Sequence, residues 1–393
     1  MARWLPFDYA ARNLARRPLR TLLTAFASAL VAALLVSTMA FVRGLERTFS
    51  GAARDDTALL LSKVAQRDLL RSTVIAGLPT LLEASVVDIL QVDGVPAVSS
   101  EIHFGTNVRL GTLSSAAADE PSYRGFVRAV SERAFLVHDA VTIIEGRPAR
   151  SGEVLVGRLA AQQMGLDAGA LRVGSVVRFE GGEFTIAGCF AAPGTTLEAE
   201  IWAPLNEVRG LTKREDSSAV FVRVKTPGDF SELELFALRR LDLELVVIPS
   251  SVYYSELVAY FGPIRALAWA MAALIAAAAV FGGSNAINAA VQDRLRELAS
   301  LRAMGYSGLA LVRSLAQESV LVAAAGGVLG LALAKIALRD IAIRISMSAF
   351  RLEVDAQSVL VGFVGVLLLG LLGTAPAAWR VQRLSIASAL KEP

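Results

Sequence analysis

The sequence predicts an α-helical membrane protein with four transmembrane helices and a mixed α/β extracytoplasmic domain inserted between helices 1 and 2. Three observations carry this expectation. Mean hydropathy is +0.53 over 393 residues, with 54% hydrophobic and only 19% charged residues, which is too apolar for an ordinary soluble enzyme. The apolar residues gather in four stretches of about 20, the length that crosses a hydrocarbon core of about 30 Å. The basic segments fall on one side of those stretches, whereas the outer loop between the third and fourth balances its charges.

Residues 1–20 read as a cytoplasmic amphipathic helix carrying Arg3, Arg12, Arg16, Arg17 and Arg20. The first span, 21–42, holds no charge. Its apolar run exceeds the roughly 7–15 residues of a signal-peptide core, and no convincing small-x-small cleavage site follows the run before Arg43, so it reads as a retained anchor. Residues 43–262 form the extracytoplasmic domain, followed by the second span at 263–290. A charged connection at 291–307 leads to the third span at 308–338. An outer loop at 339–357, with its charges balanced, leads to the fourth span at 358–376 and a tail at 377–393. Arg294, Arg296, Arg302 and Arg313 in the connection, and Arg380, Arg383 and Lys391 in the tail, fall on the same side as the N-terminal arginines. The expected arrangement is therefore multi-pass, with both termini cytoplasmic.

Within the inserted domain, "GEVLVGRLAAQQMGL" gives a strand at 154–156 and a helix stopped by Gly165. "VGSVVRFEGGEFTIAGCF" gives a hairpin turning at Gly181-Gly182. "SSAVFVRVKTP" alternates as a half-buried strand over 220–225. "SKVAQRDLLRSTVIAGL" reads as a helix, and Ser217 is taken as an exposed position suited to labelling. The single cysteine, Cys189, excludes an intramolecular disulfide and reads as a small buried hydrophobe. His103 and His138 lie far apart in sequence with no HExxH or CxxC nearby, so they read as surface or satisfied histidines rather than metal ligands. His138-Asp139 is a dipeptide, weak support for an acid/base pair and better read as a polar turn.

The chain offers no catalytic motif and no metal set. A P-loop needs GxxxxGK[ST], and none of the five lysines follows a glycine, so ATP hydrolysis by that route is excluded. Ionisable groups within the spans are few. Lys335 and Glu318 sit near span ends, and Asn285 and Asn288 suit interhelical hydrogen bonds.

"RLRELASLRAMGYS" at 294–307 lies between the second and third spans. Leu295, Leu298 and Ala299 share one helical face closed by Arg302, Gly305 suits the position after a helix end, and Ser307 can cap the next helix.

This strip resembles the pattern RxREiailRaiG that follows the second span in the MacB/FtsX family of ABC-transporter permeases, which includes the LolC/LolE-type extractors and DevC-like exporters. "ARNLARRPLRTLLT" resembles the family's amphipathic lead into the first span. "APAAWRVQRLSIASALK" resembles its ending, with Ser385-Ile386 in place of the usual Asp-Pro. The stretch from "EGRPARSGEV" to "TIAGCF" resembles the family's periplasmic core domain. The resemblance covers nearly the whole chain, without the fused ATPase domain of MacB itself.

It implies a non-catalytic permease subunit of the mechanotransmission type in the bacterial inner membrane, working with separate ABC ATPase subunits that bind ATP and Mg, while this chain holds no cofactor. It implies a dimer with a second permease copy or a paralogue, contact with membrane lipids, room for a periplasmic adaptor, and no nucleic acid. The cargo implied is a lipid, lipoprotein, peptide or hydrophobic small molecule. The coupling helix that docks on the ATPase is carried over to Arg294, Arg296, Glu297, Leu298, Leu301, Arg302 and Gly305. Arg296 and Arg302 are expected to meet acidic groups there, and Glu297 a basic one. A different class of reading is an FtsX-like transmembrane signal transducer that activates a periplasmic partner such as a cell-wall hydrolase. The family's glycine-rich spans, here Gly326, Gly330, Gly362, Gly370 and Gly373, suit helix packing between or within subunits.

Overall fold

A computed structural model describes residues 7–65, 67–112, 121–339, 341–345 and 348–383. Arg3, Lys391 and the closing "SIASALK" lie outside the described residues. Along the chain, α1 (Phe7–Arg16) and α2 (Pro18–Ser50) lead to β1 (Thr57–Ser62) and α3 (Leu78–Ser85). Then come β2 (Gln91–Val92), β3 (Val95–Pro96), β4 (Val98–Leu110), β5 (Tyr123–Val130) and the short α4 (Ala134–Val137). They are followed by β6 (Thr142–Gly146), β7 (Glu153–Gly157), α5 (Ala160–Met164), β8 (Val176–Phe179), β9 (Gly182–Ala191) and β10 (Ile201–Pro204). Next are α6 (Leu205–Thr212), β11 (Ala219–Arg223), α7 (Ser231–Arg239), β12 (Leu245–Pro249) and α8 (Ser250–Tyr260). The chain continues through α9 (Gly262–Gln292), α10 (Leu295–Ala303), α11 (Gly308–Ala337), β13 (Ala342–Ile345), β14 (Ser348–Arg351) and α12 (Ala356–Gln382).

Two compact units result: residues 1–43, 263–340 and 352–393 form one, and residues 44–262 with 341–351 form the other. In the first, α2, α9, α11 and α12 are each long and apolar enough to cross a membrane. α11 is the hub. Its Gly326 and Gly330 face α2 so closely that a Cβ would run into the carbonyl oxygens of Ala25 and Ala29. Small residues let backbones approach where no hydrophobic driving force separates helix from lipid. On α12, a Cβ at Gly362 would strike the Val36 side chain, and one at Gly370 would sit 3.0 Å from Ala323 Cβ. These glycines therefore serve packing within the subunit.

In the inserted unit, strands β4, β5, β10, β7, β9 and β8 pair in a closed circuit, β8 returning to β4. Its interior is filled by alternate residues such as Ile102, Val127, Val156, Val177, Ile186 and Ile201. The period of two that points these inward places their neighbours outside. β4, with 13 residues, is long enough to serve two partners: its first half pairs with β11, which continues through β1 to β12. α3 and α7 cover that extension through Leu78, Leu82, Leu233 and Phe236.

Several local expectations change. Among the described residues of the stretch read as a helix from Ser62, a one-turn 3₁₀ segment forms at Lys63–Ala65, and α-helix begins at Leu78. The hairpin turns at Glu180-Gly181, both with positive φ (51° and 80°), one residue earlier than expected, because a two-residue primed turn matches strand twist. Ser217 is fully buried, its hydroxyl 2.7 Å from that of Ser100. Cys189 is half-buried against the barrel core. The segment read as an outer loop contains the β13–β14 hairpin, which joins the inserted unit: Ala349 packs with Leu159 and Ala199.

Candidate functional site

The charged strip folds as α10 with the caps its sequence suggests. Gly305 takes φ of 92°, a left-handed value that L side chains rarely adopt, and so turns the chain after Met304. Ser307 Oγ accepts from Ala310 N at 3.2 Å and starts α11.

The inner face of α10 is bound into its own unit. Leu298 is buried with Val291, Leu311, Leu315, Ala377 and Val381, and Leu295 and Leu301 pack against them. Arg294 Nη1 donates to Glu318 Oε2 at 3.2 Å, and Asn13 Nδ2 donates to Glu318 Oε1 at 2.6 Å. Glu297 accepts from the Tyr9 hydroxyl at 2.6 Å, and Arg302 donates to the Gln382 carbonyl at 3.0 Å. Burial and the Glu297 carboxylate both raise the Tyr9 pKa, so its phenol stays protonated as the donor. The helix is thus tied at once to α1, α9, α11 and α12.

Of the seven residues carried over by resemblance, Arg294, Leu298 and Leu301 brace the helix, and Gly305 ends it. Glu297 and Arg302 are half-exposed with internal partners, and Arg296 is exposed. Arg296, Ser300, Ala303 and Met304, at i, i+4, i+7 and i+8, make the outward face, with Met304 58% exposed. Sequence reasoning missed Tyr9, Asn13 and Met304. Tyr9, Ala10 and Asn13 lie on one face of α1 in "FDYAARNLAR", a signal visible in the spacing. Met304 could have been found as the residue eight positions after Arg296. Asn285 is exposed and Asn288 Oδ1 is buried without a partner, so the expected interhelical bonds are not made there.

The inserted unit holds a second cluster. Glu101 and His103 share a face of β4 because they are two apart, Arg128 is cross-strand from His103, and Trp202 is cross-strand from Arg128. Arg128 binds Glu200 through both Nε and Nη2, at 2.6 and 2.9 Å, and donates Nη1 to Glu101 Oε2 at 2.8 Å. Both histidines converge on Glu101: His138 Nε2 lies 2.8 Å from Oε1, and His103 Nε2 lies 3.1 Å from Oε2. Burial alone would raise the Glu101 pKa. Attraction from His138 and Arg128, with the histidine hydrogen bonds, outweighs it and holds the carboxyl well below its ordinary range. Burial, reinforced by Arg128, lowers the His103 pKa. Asp139 turns elsewhere, pairing with Arg54 and, at 2.9 Å, with Arg223 Nη1. The His138-Asp139 dipeptide is therefore split between two networks. Among the described residues, no group of three or more His, Cys, Asp or Glu side chains is arranged to hold a metal ion.

Residues 21–234 match the MacB-like periplasmic core domain, and residues 269–386 match the FtsX-like permease C-terminal domain. Among solved structures, the periplasmic region of MacB from Actinobacillus actinomycetemcomitans is similar, at a TM-score of 0.39 and 12% identity over 52% of this chain and 94% of that one. The extracellular domain of the noncanonic ABC-type transporter YknZ from Gram-positive bacteria is similar at a TM-score of 0.36 and 12% identity, over 49% and 99%. No curated protein matches the chain in sequence.

Proposed function

The chain belongs to the MacB/FtsX family of ABC-transporter permeases, and from that membership we propose that it is the mechanotransmitting subunit, with α10 receiving force from a separate ATPase chain. Family membership supplies the ABC partnership. The observation that carries the rest is the division of α10 into an inner face held by four other helices and an outer face that is exposed at positions 296, 300, 303 and 304. Force on a helix held in this way moves its supports with it.

The chain path supports transmission onward. α2, α9, α11 and α12 all continue in sequence into the inserted unit, at 43/44, 262/263, 340/341 and 351/352. The hairpin makes α11 and α12 part of that linkage; without it they would be joined only to each other. In this reading both termini and α10 face the cytoplasm, and the inserted domain works on a lipid, lipoprotein, peptide or hydrophobic small molecule on the far side.

Reversing Glu297 and Arg302 would break contacts inside the unit, so the outward positions make the cleaner test. Arg296→Glu with Met304→Asp should leave membrane insertion unchanged. An ATPase co-purified with the wild-type chain should be lost, since breaking a buried interfacial charge pair costs roughly 2–5 kcal/mol. Unchanged co-purification and ATP hydrolysis by the double variant would remove α10 as the docking element.

A further inference from the structure

Between α2 and α9 runs a groove of 610 Å³. α9 is fastened near its α10 end: Arg17 and Arg20 pair with Asp293, Arg20 also donates to the Ala286 carbonyl, and Ser284 Oγ donates to Gly373 O at 3.0 Å. Above these ties the groove is walled by Leu23 and Val31 of α2 and by Ile275 and Ala279 of α9, with Val322 and Leu369 behind. Its other end is polar, lined by Arg17, Arg20, Thr21 and Arg294. From Arg20 to Val31 a helix rises about 17 Å, close to one leaflet of a core about 30 Å thick.

Charge selects the occupant. At the mouth three arginines, Arg17, Arg20 and Arg294, meet two carboxylates, Asp293 and Glu318, which leaves one positive charge. The side chains of Arg17 and Arg20 remain 42% and 30% exposed, and each guanidinium has five N–H donors, more than Asp293 and Ala286 can use. Exposed Arg12 and Arg16 on α1 add to the basic surround. An excess of arginine donors favours a phosphate oxygen, and juxtamembrane basic clusters select anionic headgroups.

We propose that this groove binds an anionic phospholipid from the leaflet on the α10 side, with one acyl chain between α2 and α9 and the phosphate at Arg17 and Arg20. The site fills the gap along a helix that the subunit itself leaves almost unpacked, and so fixes the angle of α9 to its neighbours. It rests on the membrane unit alone, so it stands or falls separately from ATPase docking on α10.

Native mass spectrometry of the full chain, released from a mixture of equal phosphatidylglycerol and phosphatidylcholine, tests it. Wild type should retain phosphatidylglycerol over phosphatidylcholine on the order of tenfold, the scale that one or two basic residues give at an anionic surface. Arg17→Gln with Arg20→Gln should abolish the preference, and Arg17→Lys with Arg20→Lys should keep it. Asp293→Asn, which removes a competing carboxylate, should strengthen it. Ala279→Trp, which fills the groove, should lower retention of the lipid. Equal retention of the two lipids by wild type, or a preference unchanged in the glutamine variant, would overturn the proposal. So would displacement by inorganic phosphate alone, or a groove found lipid-free in a dimer of this chain.

Discussion

Glu101 shows how a single residue organises the inserted domain. A fully buried carboxylate is tolerable only with its charge answered, and Arg128, His103 and His138 supply three answers to its two oxygens. The pKa shifts fix a pH dependence. His103, lowered from its ordinary 6.5, resists a proton that the unfolded chain accepts, so stability falls as pH drops below 6.5. Glu101, lowered from 4.5, adds stability that is present above 4.5 and is lost further down as pH falls through its folded value. Both slopes have the same sign. Unfolding of the inserted domain, followed by Trp202 fluorescence, should therefore occur at a lower temperature at pH 5 than at pH 7.5, and His103→Gln should flatten that difference. Arg128→Met leaves two buried carboxylates facing each other and should cost about 3–5 kcal/mol. A melting temperature independent of pH would contradict the assignment.

At the scale of elements, α10 and the α2–α11 contact make separable claims. Tyr9→Phe removes one hydrogen bond to Glu297, worth about 1.5–3 kcal/mol when the acceptor is charged, and should loosen α1 from α10. The measurement is limited proteolysis near residue 16, which should quicken. Gly330→Leu places a side chain against the Ala29 carbonyl and should destabilise the membrane unit by about 1–3 kcal/mol through overpacking. Because Gly330 serves packing inside the subunit, the melting temperature in detergent should drop while the oligomeric state stays that of wild type. Loss of the oligomer with stability intact would show that the glycines serve an interface between subunits instead.

For the whole molecule, the linkage through the hairpin is the claim to test. Replacing residues 342–351 with a Gly/Ser linker should leave ATPase co-purification unchanged, because α10 is untouched. It should weaken ATP-dependent change in the inserted domain, read from hydrogen exchange of β4 and β5. Topology can be checked at Glu215, which is exposed where Ser217 is not. In a Cys189→Ala background, Glu215→Cys should react with an impermeant thiol reagent in intact spheroplasts.

The membrane class, the order of the spans, the end of α10 and the cap of α11 were legible in the sequence, because each depends on neighbours within a few turns. Apolar runs of about 20 residues report a solvent, and Gly305 and Ser307 report local backbone demands that any helix pair would make. The hairpin turn was legible to within one residue for the same reason. The convergence of His103 and His138 on Glu101 was not, since 35 positions separate the histidines and only the pairing of β4 with β5 and the packing of α4 bring them together. Nor could the sequence say that Tyr9 would hold Glu297, 288 positions away, or that the segment after α11 would fold as a hairpin within the inserted domain. Local patterns set which solvent and which secondary structure a segment prefers. Which charges meet is decided when distant elements share one buried volume and each must find a partner there.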